Sequence, residues 1–279
     1  MAEDKNSQDQ KSEMSFLQHL EELRWHLIRS TLAILILATL AFIAKDFIFN
    51  TILFAPKEPE FITYRVFCNI VQSLGLDESV CVTDIDFRIQ NRTMAGQFNI
   101  HIWTSITAGI ILGFPYVLYE LWKFISPALK ESEKKNSQGF ILIASILFFL
   151  GVLFGYYIIA PLSINFLANY RVSAEVFNDI DISSYMGLVR TAALASGIIF
   201  ELPIIIFILT KIGLVSPEGL KKYRKFAIVG ILVLAAIITP PDIVSQVIVA
   251  IPILVLYEIS IIISRIVLKR EKKRNKTTA

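Results

Sequence analysis

The sequence predicts an all-α polytopic membrane protein with six transmembrane helices and both termini in the cytoplasm. Three observations carry this reading. Apolar residues make up 54% of the chain and charged residues only 18%, against about a quarter charged in soluble domains, and the mean hydropathy is +0.60. The apolar residues fall in blocks, several of them long enough for a helix to cross a hydrocarbon core, which takes roughly 20 residues. The basic residues are segregated. With both ends on one side, that side collects 20 of the 27 Lys and Arg residues, as positive-inside topology requires. The net charge of +3 is explained by this topology and does not point to nucleic acid.

Residues 1–14 are polar and of mixed charge, read as a disordered cytoplasmic tail. They lack the short apolar core and small-residue cleavage site of a removable signal peptide, so the first span is expected to serve as its own insertion signal. From Ser15 to Arg29 the chain is amphipathic. Phe16, Leu20, Leu23 and Leu27 recur along one helical stripe, and His19, Glu22 and His26 share another face. This segment is expected to lie at the membrane surface and to run straight into the first span, His26 to Phe49. Residues 50–97 form an extramembrane loop with Pro56 and Pro59 near its start, expected to be folded, with a short hairpin or an amphipathic piece on the lipid. The second span runs from about Phe98 to Trp122, interrupted by Gly113 and Pro115. The third runs from about Gly139 to an end at Pro161. The fourth covers about Tyr185 to Leu209.

Ser216-Pro217-Glu218 is a helix-start signal, a capping serine followed by proline at the first helical position. The fifth span has only about 14 residues before Pro240-Pro241-Asp242 stops it. That is roughly 21 Å of helix against a core near 30 Å, short enough to thin the bilayer locally. The sixth span, about Val244 to Ile263, contains Pro252, where a kink is expected, and Glu258. Residues 266–279 form a basic tail.

Few residues suggest chemistry. His19, Glu22 and His26 could ligate a cation, but their spacing matches no metal motif, and a solvated polar face is the expectation. No phosphate-cradling glycine loop and no nucleophile–base pair is evident, so neither an enzyme nor a cofactor is expected. Cys68 and Cys81 both fall in the first outer loop, where they either close a disulfide in an oxidising compartment or remain two thiols. Glu201 lies well inside the fourth span beside Pro203. An intramembrane carboxylate is a functional candidate by default. It is either a neutral acid hydrogen-bonded in the bundle or a proton or ion site, which keeps a proton- or ion-coupled secondary transporter in view. No inverted repeat of the kind many transporters show is visible.

Five segments, in order, resemble TatC, the multi-spanning core subunit of the twin-arginine protein translocase. They are HLEELRWHLIRS from His19, FPYVLYELWKFISPALKESEKK from Phe114, FELP from Phe200, SPEGLKKYRK from Ser216 and TPPDIVSQVIVAIP from Thr239. The resemblance implies a receptor for the twin-arginine signal peptides of folded substrates. It works with TatA- or TatB-type single-span partners and further TatC copies in the bacterial cytoplasmic membrane, powered by the proton gradient. The family's signal-binding glutamates fall on Glu22 and Glu133, and associated motif positions on Arg24, Phe124 and Pro127. Its intramembrane glutamate falls on Glu201, and the polar positions associated with partner docking fall on Thr239 and Gln246. A carboxylate suits a guanidinium, since its two oxygens accept charge-assisted, bidentate hydrogen bonds. The long outer loop and its cysteine pair depart from the family pattern.

Overall fold

Small residues decide how closely the helices of this bundle approach. In the computed structural model, which describes residues 16–73, 75, 81, 87–125, 137–173, 175, 176 and 178–277, the first helix, α1 (Phe16–Ile43), packs along α3 (Gly96–Ile125). A Cβ on Gly109 would sit 2.6 Å from the Ile34 carbonyl oxygen. Likewise α4 (Ser137–Phe154) crosses α6 (Ile182–Phe200) so tightly that a Cβ on Gly155, just past the end of α4, would lie 2.2 Å from the Ala192 carbonyl oxygen. In lipid there is little hydrophobic drive between helices, so close backbone approach over small residues supplies the dispersion contacts that hold them. The large apolar side chains point the other way. On α1, Leu32, Leu35, Ile36, Leu40 and Ile43 are exposed while Ala38 and Ala41 are buried, the inside-out distribution expected when the solvent is hydrocarbon.

Among the described residues five stretches are long and apolar enough to cross a membrane: Leu20–Ile43, Gly96–Ile125, Gly139–Asn169, Ile182–Lys211 and Ser245–Arg270. The protein is therefore a polytopic, all-helical membrane protein. The first is one uninterrupted helix from Phe16, so the amphipathic segment and the span are a single rod. The second runs straight through Gly113 and Pro115 to Ile125, correcting the expected interruption. The third also passes its proline. Beyond α4 a π-helical stretch, Gly155–Ile159, leads into α5 (Ala160–Asn169), with Pro161 in its first turn. Proline removes the donor that would have served the Tyr157 carbonyl, and that oxygen instead accepts the Thr63 hydroxyl. A membrane helix continues through proline when a neighbour satisfies the freed group.

The fourth stretch is divided, α6 giving way at Glu201 to α7 (Leu202–Lys211). A short helix α8 (Pro217–Lys222) starts where Ser216 Oγ accepts the Gly219 N–H at 3.1 Å, the cap its sequence announced. Then α9 (Arg224–Ile238) has 15 residues, and α10 (Ile243–Thr277) runs through Pro252 without a break and carries the basic tail into the same helix. Thr210 Oγ1 donates to Ser264 Oγ at 2.8 Å, and Arg224 pairs with Glu258 at 2.7 Å. These contacts tie α7 and α9 to α10. The main core lies where α5, α6 and α10 meet, around Ile159, Met186, Val189, Val249 and Ile253.

The long loop is a folded cap. A π-helical stretch (Phe47–Leu53) extends the first rod, and its loosened carbonyls are taken up by tyrosines: Tyr156 donates to Ile52 at 2.6 Å and Tyr185 to Leu53 at 3.0 Å. The amphipathic α2 (Ile62–Ser73) buries Tyr64 and Val71, and the Tyr64 hydroxyl reaches the Pro56 and Pro161 carbonyls at 3.0 and 2.9 Å. Burial pushes the Tyr64 hydroxyl well above its ordinary pKa. Cys68 and Cys81 are joined in a disulfide. No hairpin forms among the described residues. Strand β1 (Arg88–Gln90) pairs in parallel with β2 (Asp179–Asp181) from the second loop, Ile89 opposite Ile180.

Candidate functional site

Where the start of α1 meets the end of α3, the polar face of α1 turns inward. His26 is 8% exposed and its Nδ1 lies 2.6 Å from Glu120 Oε2. A carboxylate only accepts, so the ring N–H donates. Arg29 Nη1 stands 4.0 Å from the same oxygen, and the Tyr116 hydroxyl bonds to the same carboxylate. The expected solvated face is thus corrected at His26, because α3 covers it. Glu120 drew no notice in the sequence. A carboxylate well inside an apolar run, three residues before Lys123 in YELWK, was the available signal.

Glu22 lies one turn before His26, partly buried, with its Oε2 sealed from solvent and unpartnered among the described residues. Phe124 sits edge-on to the His26 ring at 6.2 Å between centroids, so the chain leaves α3 beside Glu22. Arg24 points away, exposed, along a shallow groove of about 490 Å³ shared with Leu20, Leu23 and Leu27. Pro127 and Glu133 fall outside the described residues. No group of three His, Cys, Asp or Glu that could hold a metal occurs among the described residues.

Glu201 occupies the break between α6 and α7 at 7% exposure. Its carbonyl accepts the Ile204 and Ile205 N–H groups at 2.9 Å each, while Pro203 has no N–H to give. Its side-chain Oε1 is buried with no hydrogen-bond partner among the described residues. Of the two polar positions near the α9–α10 turn, the Thr239 hydroxyl is turned back onto the Ala235 carbonyl at 2.8 Å. Gln246 donates to the Leu232 carbonyl at 3.1 Å, bracing α10 against α9. Beside them α9 bares a stripe of Phe226, Val229, Val233 and Ile237.

Long apolar helices, two buried carboxylates within them and a disulfide-closed cap define a polytopic membrane protein with polar sites set inside its bundle. Comparison with known proteins names the class more closely: the chain belongs to the TatC family. The family model described as "Sec-independent protein translocase protein (TatC)" matches residues 18–252. The Sec-independent protein translocase protein TatC of Blattabacterium sp. subsp. Periplaneta americana (strain BPLAN) is 46% identical over 264 residues, covering 94% of this chain and 99% of that one. The TatC of Aquifex aeolicus (strain VF5) is 34% identical over 266 residues, 94% of this chain and 100% of the relative. A solved structure described as the twin-arginine translocase receptor TatC superposes with a TM-score of 0.67 at 34% identity, covering 90% of this chain and 99% of the other. The family is a component of a protein translocase, which favours transport of proteins over the ion-coupled transporter.

Proposed function

We propose that this chain is the receptor and core subunit of a twin-arginine translocase in a bacterial cytoplasmic membrane. In this reading α9 is a sixth span, both termini are cytoplasmic, and folded proteins are passed across with TatA- or TatB-type single-span partners and further copies of the chain, powered by the proton gradient. The observation that carries the reading is Glu22. A carboxylate with one sealed, unpartnered oxygen, standing beside the end of α3, is a ready acceptor for a guanidinium. Glu133, in the segment after α3, supplies the second carboxylate for an arginine pair, with Arg24, Phe124 and Pro127 around them. The apolar stripe of α9, with Gln246 beside it and Thr239 buried at its end, offers the docking surface for a single-span partner. Glu201 is the polar group inside the bundle.

The test is photo-crosslinking of a twin-arginine signal peptide to the chain in membranes. Glu22→Ala and Glu133→Ala are each expected to weaken binding about tenfold or more, the loss of a charge-assisted bidentate pair, and a Lys-Lys peptide should bind poorly to the unaltered chain. Equal labelling by the RR and KK peptides overturns the reading.

A further inference from the structure

A cavity of about 720 Å³ lies between the outer part of α1 and its π-helical extension, α3, the end of α4 and α6. Its walls are almost wholly apolar, and several of them are open to the surroundings: Leu40 is 58% exposed, Phe47 61% and Leu112 57%. In a membrane that opening faces lipid. Two polar side chains in the lining stand out. Arg190 donates through Nε to the Met186 carbonyl at 3.1 Å, yet its Nη1 is buried and unpartnered among the described residues. Thr104, only 3% exposed, also has a buried hydroxyl oxygen with no partner. No Asp or Glu lines the cavity, so the guanidinium has no counter-charge within the wall.

A charged group in this position is expensive unless it is paired. Arg190 sits roughly 12 Å along the axis from Ile182 at the start of α6. Its bond to Met186, one turn back, turns the guanidinium toward that end, the direction in which an arginine snorkels to the interface. Below the level of Thr104 the groove continues to Leu112 on α3, roughly 12 Å farther into the hydrocarbon, a course suited to the first part of an extended acyl chain. An anion tethered to such a chain satisfies both halves of the cavity.

We propose that this cavity is a binding site for an anionic phospholipid. Arg190 and Thr104 hold the phosphate, and one acyl chain lies in the groove below. The lipid comes from the leaflet that meets the start of α6, the outer one if the topology proposed above holds. It supplies the counter-charge that the protein lacks, and it fills the seam between the α1–α3 and α4–α6 pairs.

The probe is phosphatidylglycerol, compared with phosphatidylcholine of the same acyl chains, added to the full chain in mild detergent and read by native mass spectrometry. The unaltered chain should retain one phosphatidylglycerol about tenfold better than phosphatidylcholine, the scale of a charge-assisted phosphate contact. Arg190→Gln should abolish that preference, Arg190→Lys should keep part of it, and Thr104→Val should weaken it. Equal retention of the two lipids by the unaltered chain, or undiminished preference in Arg190→Gln, overturns the proposal. Should Arg190→Gln fail to fold, the headgroup comparison and Thr104→Val decide. A photoreactive residue at Leu112 that labels a protein helix in membranes, and not lipid, also overturns it. None of these readouts needs translocation or a signal peptide, so a negative result leaves the receptor reading standing.

Discussion

Glu120 and Glu201 are both carboxylates buried in apolar helices, at 2% and 7% exposure, and the fold treats them in opposite ways. Glu120 is partnered: His26, Arg29 and Tyr116 all turn toward it, from α1 and from its own helix. Glu201 has an oxygen with no partner among the described residues, at a point where α6 and α7 are already broken. The difference teaches how to separate architecture from readiness. A buried acid met by donors from both helices holds them in register. One left partly unanswered, beside a break between helices, keeps an acceptor oxygen that no described donor uses.

The largest effect should come from breaking the answered pair. Glu120→Ala leaves His26 buried opposite nothing and is expected to destabilise the chain by about 3–5 kcal/mol, read as a lower melting temperature in detergent. The double change His26→Leu with Glu120→Leu should recover most of that loss, because well-packed apolar residues replace a buried pair at little cost. An unmoved melting temperature in the single variant removes the contrast. Glu201→Gln is expected to shift stability by no more than about 1 kcal/mol, since no existing hydrogen bond is lost. Export of a folded twin-arginine reporter should nevertheless fall clearly. Loss of stability with normal export would place Glu201 with Glu120 as a structural acid.

The smallest effect belongs to a third carboxylate, outside the spans. Asp181 caps α6 by accepting the Ser183 N–H at 2.8 Å, and bonds to the Ser183 hydroxyl as well. Chiefly for that reason its pKa is held below the ordinary value. A depressed acid stabilises the fold above its unfolded pKa of about 3.9, and the contribution fades as pH falls through the lower folded value. The protection of the Arg88–Gln90 amides, hydrogen exchange corrected for its intrinsic pH dependence, should therefore fall below about pH 4, and Asp181→Asn should lower it at neutral pH and flatten the pH response.

Much of the architecture was legible because membrane helices announce themselves as uninterrupted apolar blocks, and the Ser216 cap and the short α9 were read directly from residue types. The misreadings share one physical source. Pro115 and Pro161 look like helix ends under the rules of water, yet inside lipid the chain has nowhere to send an open backbone, and continuation with a borrowed donor such as Thr63 is the cheaper solution. The β1–β2 pairing was invisible because it is non-local and three residues long. At the candidate site, Glu22 and Glu201 could be picked out from the sequence, Glu22 through the family's pattern. Glu120 could not be told from an ordinary helix residue until α1 was seen to cover it. The disulfide was left open by the sequence, since two cysteines in a loop of unknown path fix no distance.

The parallel pairing of Arg88–Gln90 with Asp179–Asp181 carries a consequence for how the chain is made. Between its two halves the polypeptide travels through α3 and back through α4 and α5. The clasp therefore cannot close during synthesis until all three of those helices have been laid down. A chain halted after α3 has Arg88–Gln90 without the strand that pairs with it. A chain that has reached α6 has both strands, so the three-residue pairing marks the passage from a nascent insert to a finished one.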